Sequence, residues 1–179
     1  IFPTASLTKN LEGTNMTEFG LLQKKGIIGF SDGIKTIQNT RLMSRIMKSA
    51  YDLNSLILQH AEDLELSKDG MINDGIIATK LGLQGIPDLA ELIIIERDLT
   101  LLESIKCRYH ISQISSAKSV DIIKEKKQKV KFTCGVSINN LSLNENDIGD
   151  FRTFLKLSPP LRTEEDRTSL VDGLNNKTI

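Results

Sequence analysis

The stretch Ser55–Asp63, SLILQHAED, runs apolar residues into one histidine and two acids. A neutral imidazole in such a place can ligate a metal through a ring nitrogen, so His60 heads the residues capable of chemistry. A lone histidine at a strand end is more often a satisfied structural group, and that alternative stands beside the first. Glu62 and Asp63 read as a proton-transfer pair or, more simply, as acids capping the segment that follows. Asp32, after IIGFS, reads as a carboxylate ligand or base, or as the cap of a turn with Gly33. In SPPLR, Ser158–Arg162, two prolines stiffen a loop and Arg162 suits a carboxylate; the plain reading is a rigid connection. His110 and Gln113 share the run CRYHISQIS. Side chains alternate along a regular strand, which would send these two to opposite faces and keep them from serving one metal.

The elements that must position these residues alternate in type. IFPTASL, IIGFSD, SLILQ, CRYHISQIS and KVKFTCGVS read as strands. Between them MTEFGLLQKKG, NTRLMSRIMKSAYDLN, GIPDLAELIIIERDLTLLESIK and SAKSVDIIKEKKQ have helical spacing, and TEEDRTSLVDGL closes as a helix. Asn39 or Thr40 caps the second helix, Pro87 suits the first turn of the third, and Thr163 with Asp166 is spaced as a capping box. In the third helix Leu89, Leu92, Ile93, Glu96, Leu99 and Leu102 mark the expected buried face. Helices long enough for crossovers imply a parallel sheet with right-handed connections. The polar residues Asp32, His60, Glu62, Gln113 and Asn139 then gather at the carboxyl ends of strands, where parallel α/β folds bind ligands.

Whole-chain totals narrow the function. Lys and Arg number 23 and Asp and Glu number 23, a formal net charge of zero, so no global field draws the chain to nucleic acid or a membrane. Aromatic residues are 4% with no Trp, against a platform for stacking bases. The basic run KEKKQKVK, Lys124–Lys131, has no interleaved aromatics and reads as a solvated helix end. Cys107 and Cys134 lack metal-ligand spacing and read as small apolar residues of a reduced, cytoplasmic protein. No apolar run approaches the roughly 20 residues that cross a bilayer. A length of 179 residues fits one domain spanning 1–179. The opening IFPTASLTK, already strand-like and without Met, is expected to be cut from something longer.

In order, LTKNLEG, GFSDG, HAED, GMINDG, LGLQGIPDLAE, ERDLTLLE, RYHISQIS, LSLNENDIG and KLSPPLRTEEDR resemble the dihydroorotase branch of the amidohydrolase superfamily. Each motif alone is weak, and their colinear set is strong. The resemblance implies an α/β chain forming part of a (β/α)₈ barrel, with parallel strands corresponding roughly to strands three to seven. It implies a zinc-type or other divalent metal and hydrolysis of dihydroorotate to N-carbamoyl-aspartate in pyrimidine synthesis. There a metal-bound hydroxide attacks the ring amide. Carried over by position, His60 matches the fifth-strand metal ligand, Asp32 the fourth-strand carboxylate and Gln113 the sixth-strand ligand, while Ser158 and Arg162 match the substrate-contacting proline motif.

The departures from the family pattern cluster at the same positions. A single Asp32 precedes Gly33 where two acids are usual, Gln113 stands where His is usual, Ser158 replaces Asn, and INNLSL lacks a common His pair. A Gln carbonyl is a weaker donor to a transition metal than imidazole. The first-strand His-x-His and the last-strand Asp are absent from these residues. No catalytic residue is therefore assigned, and the 179 residues alone are expected not to turn over substrate. An alternative expectation is a non-catalytic relative that partners aspartate carbamoyltransferase as a structural subunit. Open strand edges lead to an expectation of oligomers.

Overall fold

The computed structural model describes residues 1–179. Its strands are β1 (Thr4–Ala5), β2 (Gly29–Phe30), β3 (Leu56–Gln59), β4 (Ile72–Asn73), β5 (Gly85–Ile86), β6 (Arg108–Ile114) and β7 (Thr133–Val136). The helices are α1 (Phe19–Gln23), α2 (Thr40–Asp52), α3 (Ile76–Leu81), α4 (Leu89–Ile105), α5 (Ala117–Lys126), α6 (Ile138–Ser142) and α7 (Glu164–Asn175). Five strands form one sheet in the order β1-β2-β3-β6-β7, and every pairing in it is parallel. Parallel neighbours need crossovers, and α1, α2, α4 and α5 lie in the connections between them. β4 and β5 pair separately, also in parallel, within the long β3–β6 connection. Neither these two-residue strands nor α3 and α6 were expected from the pattern; elements so short leave almost no periodicity to read.

Local chemistry starts the helices where the sequence places them. The Asn39 side chain accepts from the Leu42 N–H at 2.9 Å, capping α2, whose Leu42, Met43, Ile46, Met47 and Ala50 are buried. Thr163 and Asp166 exchange side-chain bonds with each other's backbone, completing the capping box of α7. The face of α4 differs from expectation. Leu89 and Ile93 are 51% and 45% exposed, whereas the acids Glu91 and Asp98 are buried. A buried carboxylate is tolerated only with partners. Asp98 has the Tyr109 hydroxyl at 2.6 Å and the Arg97 Nε at 2.8 Å, and its burial still lifts its pKa above the ordinary carboxylate range.

The main core joins α2, α4, α5 and α7 to one face of the sheet through Ile57, Tyr109, Ile111 and Ile114. On the other face Leu56, Leu58 and His110 are half-buried. A smaller cluster of Ile72, Ala78, Ile148 and Leu161 packs the β4–β5 excursion against the segment before α7. Both cysteines are free, and burial pushes the Cys107 thiol up to about 11. No helix is long and apolar enough to cross a membrane.

β6 is not regular, which overturns the expected separation of His110 from Gln113. Ile111 pairs with Cys134 and Ile114 with Val136, so three steps on β6 oppose two on β7. That extra residue is a bulge, and it inverts the alternation beyond it. Ile111 and Ile114 both face the helices, so His110 before the bulge and Gln113 after it share the opposite face.

Candidate functional site

His60 follows β3 at the carboxyl edge of the sheet and is 3% exposed. In an extended chain alternate residues share a face, so His60 and Glu62 project together. The His60 Nε2 lies 2.9 Å from the Glu62 Oε2. The Ser158 hydroxyl, from the proline segment, reaches the same place: it donates to Glu62 Oε2 at 3.3 Å and lies 3.3 Å from His60 Nε2. His60 holds the Glu62 carboxyl below its ordinary pKa against the opposing effect of burial, and Ser67, then Ser158, adds to the lowering. Asp63 serves locally instead, its carboxylate accepting from the Glu65 and Leu66 N–H groups at 3.0 Å each.

Sequence analysis named His60, Asp32, Gln113, Ser158 and Arg162, and the structure brings only His60 and Ser158 into direct contact. Asp32 is engaged elsewhere. Its Oδ1 accepts from the Leu7 and Thr8 N–H groups at 2.7 and 3.0 Å, and its Oδ2 accepts from the Thr8 hydroxyl. This buried carboxylate closes the turn after β1 onto the turn after β2. Gln113 is half-buried on the helix-free face.

Arg162 lines the same cleft as His60, Glu62, Glu91 and Pro159, and its Nε and Nη1 are bonded into protein. Its Nη1 donates to the Asn73 Oδ1 at 2.8 Å and the Ile86 carbonyl at 2.6 Å, and its Nε donates to the Ser115 hydroxyl at 3.1 Å. Ser115 donates in turn to Glu91, which also accepts from the Ser115 and Ser116 N–H groups and the Ser119 hydroxyl. Arg162 therefore ties the β4–β5 excursion, the β6–α5 turn and the proline segment together and seats Ser158 over His60. Sequence reasoning missed Glu91. Its signal was an acid on the apolar side of a helix, which burial permits only with several donors.

A metal-binding histidine usually donates its second ring nitrogen to a carboxylate, which fixes the tautomer. His60 has that arrangement: Nε2–H directed at Glu62 leaves Nδ1 as the acceptor nitrogen of the neutral ring. A catalytic zinc takes about three protein ligands. No group of three or more His, Cys, Asp or Glu side chains here is arranged to hold a metal ion. The residues of this chain supply one fitting ligand and do not by themselves fit a complete metal centre.

A sheet of five parallel strands backed by helices, with its polar groups at the carboxyl edge, is a partial (β/α)₈ barrel. Solved barrels share it. L-hydantoinase from Arthrobacter aurescens superposes with a TM-score of 0.77 over 97% of this chain and 40% of that one, at 21% identity. A dihydropyrimidinase from Brevibacillus agri gives 0.71 over 89% of this chain and 37% of that one, at 20% identity. At such identity the likeness concerns the fold. Residues 1–119 match the family described as Dihydro-orotase-like. Dihydroorotases of Ehrlichia canis and Syntrophus aciditrophicus are 42% and 40% identical over 98% and 100% of this chain. The chain belongs to the dihydroorotase-like family. It spans 39% and 42% of the length of those two relatives.

Proposed function

We propose that this chain forms the His60-bearing part of a cyclic amidohydrolase that opens dihydroorotate to N-carbamoyl-aspartate in pyrimidine synthesis. The reaction adds water across the ring amide: the C–N bond breaks, the water oxygen joins the carbonyl carbon to make a carboxylate, the nitrogen takes one of the water's protons and the other is released. The observation that carries the reading is the meeting of His60, Glu62 and Ser158 at the carboxyl edge, in a chain similar from end to end to dihydroorotases. Of the two residues assigned to substrate, Ser158 sits beside His60, while Arg162 holds Ser158's segment in place. Glu62 keeps the imidazole oriented, with its proton on Nε2. The family's divalent metal, zinc or another, would polarise the ring carbonyl when bound. His60 Nδ1 is the imidazole ligand this chain offers it, and both carboxylate oxygens of Asp32 are engaged by Leu7 and Thr8. The 179 residues alone are proposed to lack turnover.

The test is the complete protein's metal content together with dihydroorotate ring opening, followed by the loss of ring-amide absorbance. Bound metal with turnover supports the reading. Metal-free, inert protein that is otherwise well folded rejects it.

The engagement of both Asp32 oxygens by Leu7 and Thr8, with a neutral amide at Gln113, favours a second reading. In it the protein is a non-catalytic subunit that assembles with aspartate carbamoyltransferase. Co-elution of the two purified proteins as one species supports this reading, and separate elution rejects it.

A further inference from the structure

The two strands nearest the site stop early. β2 ends at Phe30 and β3 at Gln59, so backbone pairing gives out before His60 and Glu62 are reached. Beyond that point two side chains bond the backbone from His60 to Leu64. The Thr36 hydroxyl donates to the His60 carbonyl at 2.6 Å and accepts from the Glu62 N–H at 3.1 Å. The Gln38 side chain donates from Nε2 to the Glu62 carbonyl at 2.8 Å and accepts at Oε1 from the Leu64 N–H at 3.3 Å. In a parallel ladder, one residue bonds a carbonyl and an N–H two positions apart on its neighbour. Thr36 and Gln38 reproduce that pattern at a spacing of two, with side-chain atoms in place of peptide groups.

We infer that Thr36 and Gln38 are positioning residues of the site: they extend the β2–β3 ladder through side chains and thereby set the His60–Glu62 pair. Chain kept extended from residue 60 to 62 puts both side chains on one face, the condition for their 2.9 Å contact. The device is anchored behind. Arg97 Nη1 donates to the Gln38 carbonyl at 2.9 Å while its Nε holds buried Asp98. Thr36 is itself 4% exposed, so water does not readily replace its hydroxyl. From the other side, the Asp63 N–H donates to the Ala90 carbonyl at 2.8 Å. The turn is thus gripped on two flanks, and the grip on its His60 end is a single oxygen.

This inference rests on the reading of His60 as a site residue, but its test needs no substrate. In the full chain, Thr36→Val preserves side-chain shape and removes the hydroxyl. Exchange of the Glu62 amide is then expected to quicken about tenfold, the factor given by losing one hydrogen bond of ordinary strength. At one fixed pH the ¹⁵N signal of His60 Nε2 should move toward that of an unpaired imidazole, and Thr36→Ser should restore both readings. A Glu62→Gln background should abolish the Nε2 response to Thr36→Val. If Thr36→Val does not fold, Gln38→Met decides, with faster Leu64 exchange and a shifted His60 signal expected. A folded Thr36→Val or Gln38→Met protein with an unaltered His60 signal overturns the inference, as does a Thr36→Ser protein that behaves like Thr36→Val. Failure of the dihydroorotase assay alone leaves these readings unchanged, so the two claims fail separately.

Discussion

Replacing Glu91 by Leu tests whether the proline segment is seated by a buried network. Glu91 is 2% exposed and accepts from two backbone N–H groups and two hydroxyls. Leucine fills similar space but accepts nothing. The Ser115 and Ser119 hydroxyls can turn to other acceptors, whereas the Ser115 and Ser116 N–H groups are fixed by the backbone and stay buried without partners. Each such loss costs about 1–3 kcal/mol, with the 3.4 Å Ser116 bond at the low end. Glu91→Leu is therefore expected to destabilise the protein by about 3–4 kcal/mol, a large part of the roughly 5–15 kcal/mol of an ordinary domain. Glu91→Gln keeps one acceptor oxygen for the N–H groups and loses only the charge-assisted share, about 1–2 kcal/mol. Urea unfolding followed by circular dichroism measures both. If Glu91→Leu unfolds within about 0.5 kcal/mol of the parent, the network does not hold the fold and the seating argument is wrong.

Other expectations follow from single features. The Glu62 carboxyl is lowered from 4.5 in the folded chain, so its stabilisation is complete above that value and disappears as pH falls through the lower folded value. Glu62→Gln should accordingly flatten the acid limb of the stability–pH curve below 4.5, and an unchanged limb contradicts the pairing. Gln59 is 1% exposed and neither of its side-chain amide atoms has a hydrogen-bond partner. Gln59→Met is expected to raise unfolding free energy by about 1–2 kcal/mol, and a loss of that size would show the amide to be satisfied. β1 and β7 each have one sheet neighbour, which leaves two open edges. The chain should elute from a sizing column as a species larger than its 19.9 kDa, and a sharp monomer peak contradicts this.

The alternation of strand and helix, the parallel sheet, and the caps at Asn39 and Thr163 were legible because each rests on short-range chemistry. The carboxyl-edge placement of His60 was legible as a consequence of that alternation. What escaped depended on contacts distant in sequence. The β6 bulge is set by its register with β7, and nothing within RYHISQI announces the extra residue. Asp32 looked available as a ligand because its donors, Leu7 and Thr8, lie 25 and 24 positions away. Thr36 and Gln38 carried no local signal, since their role depends on a backbone segment 24 residues further on. The resemblance to dihydroorotases identified the fold ahead of any of these contacts, but it could not say which side chains meet.

The most direct measurement is the rate of dihydroorotate ring opening by the complete protein, with His60 intact and as His60→Asn. Asparagine removes the imidazole and leaves a small polar group in the same buried position. Turnover by the parent is expected, with a fall of about a thousandfold or more in the variant, as for loss of a metal ligand or acid–base group. Equal rates for the two proteins would show that His60 is a structural residue and that the site lies elsewhere.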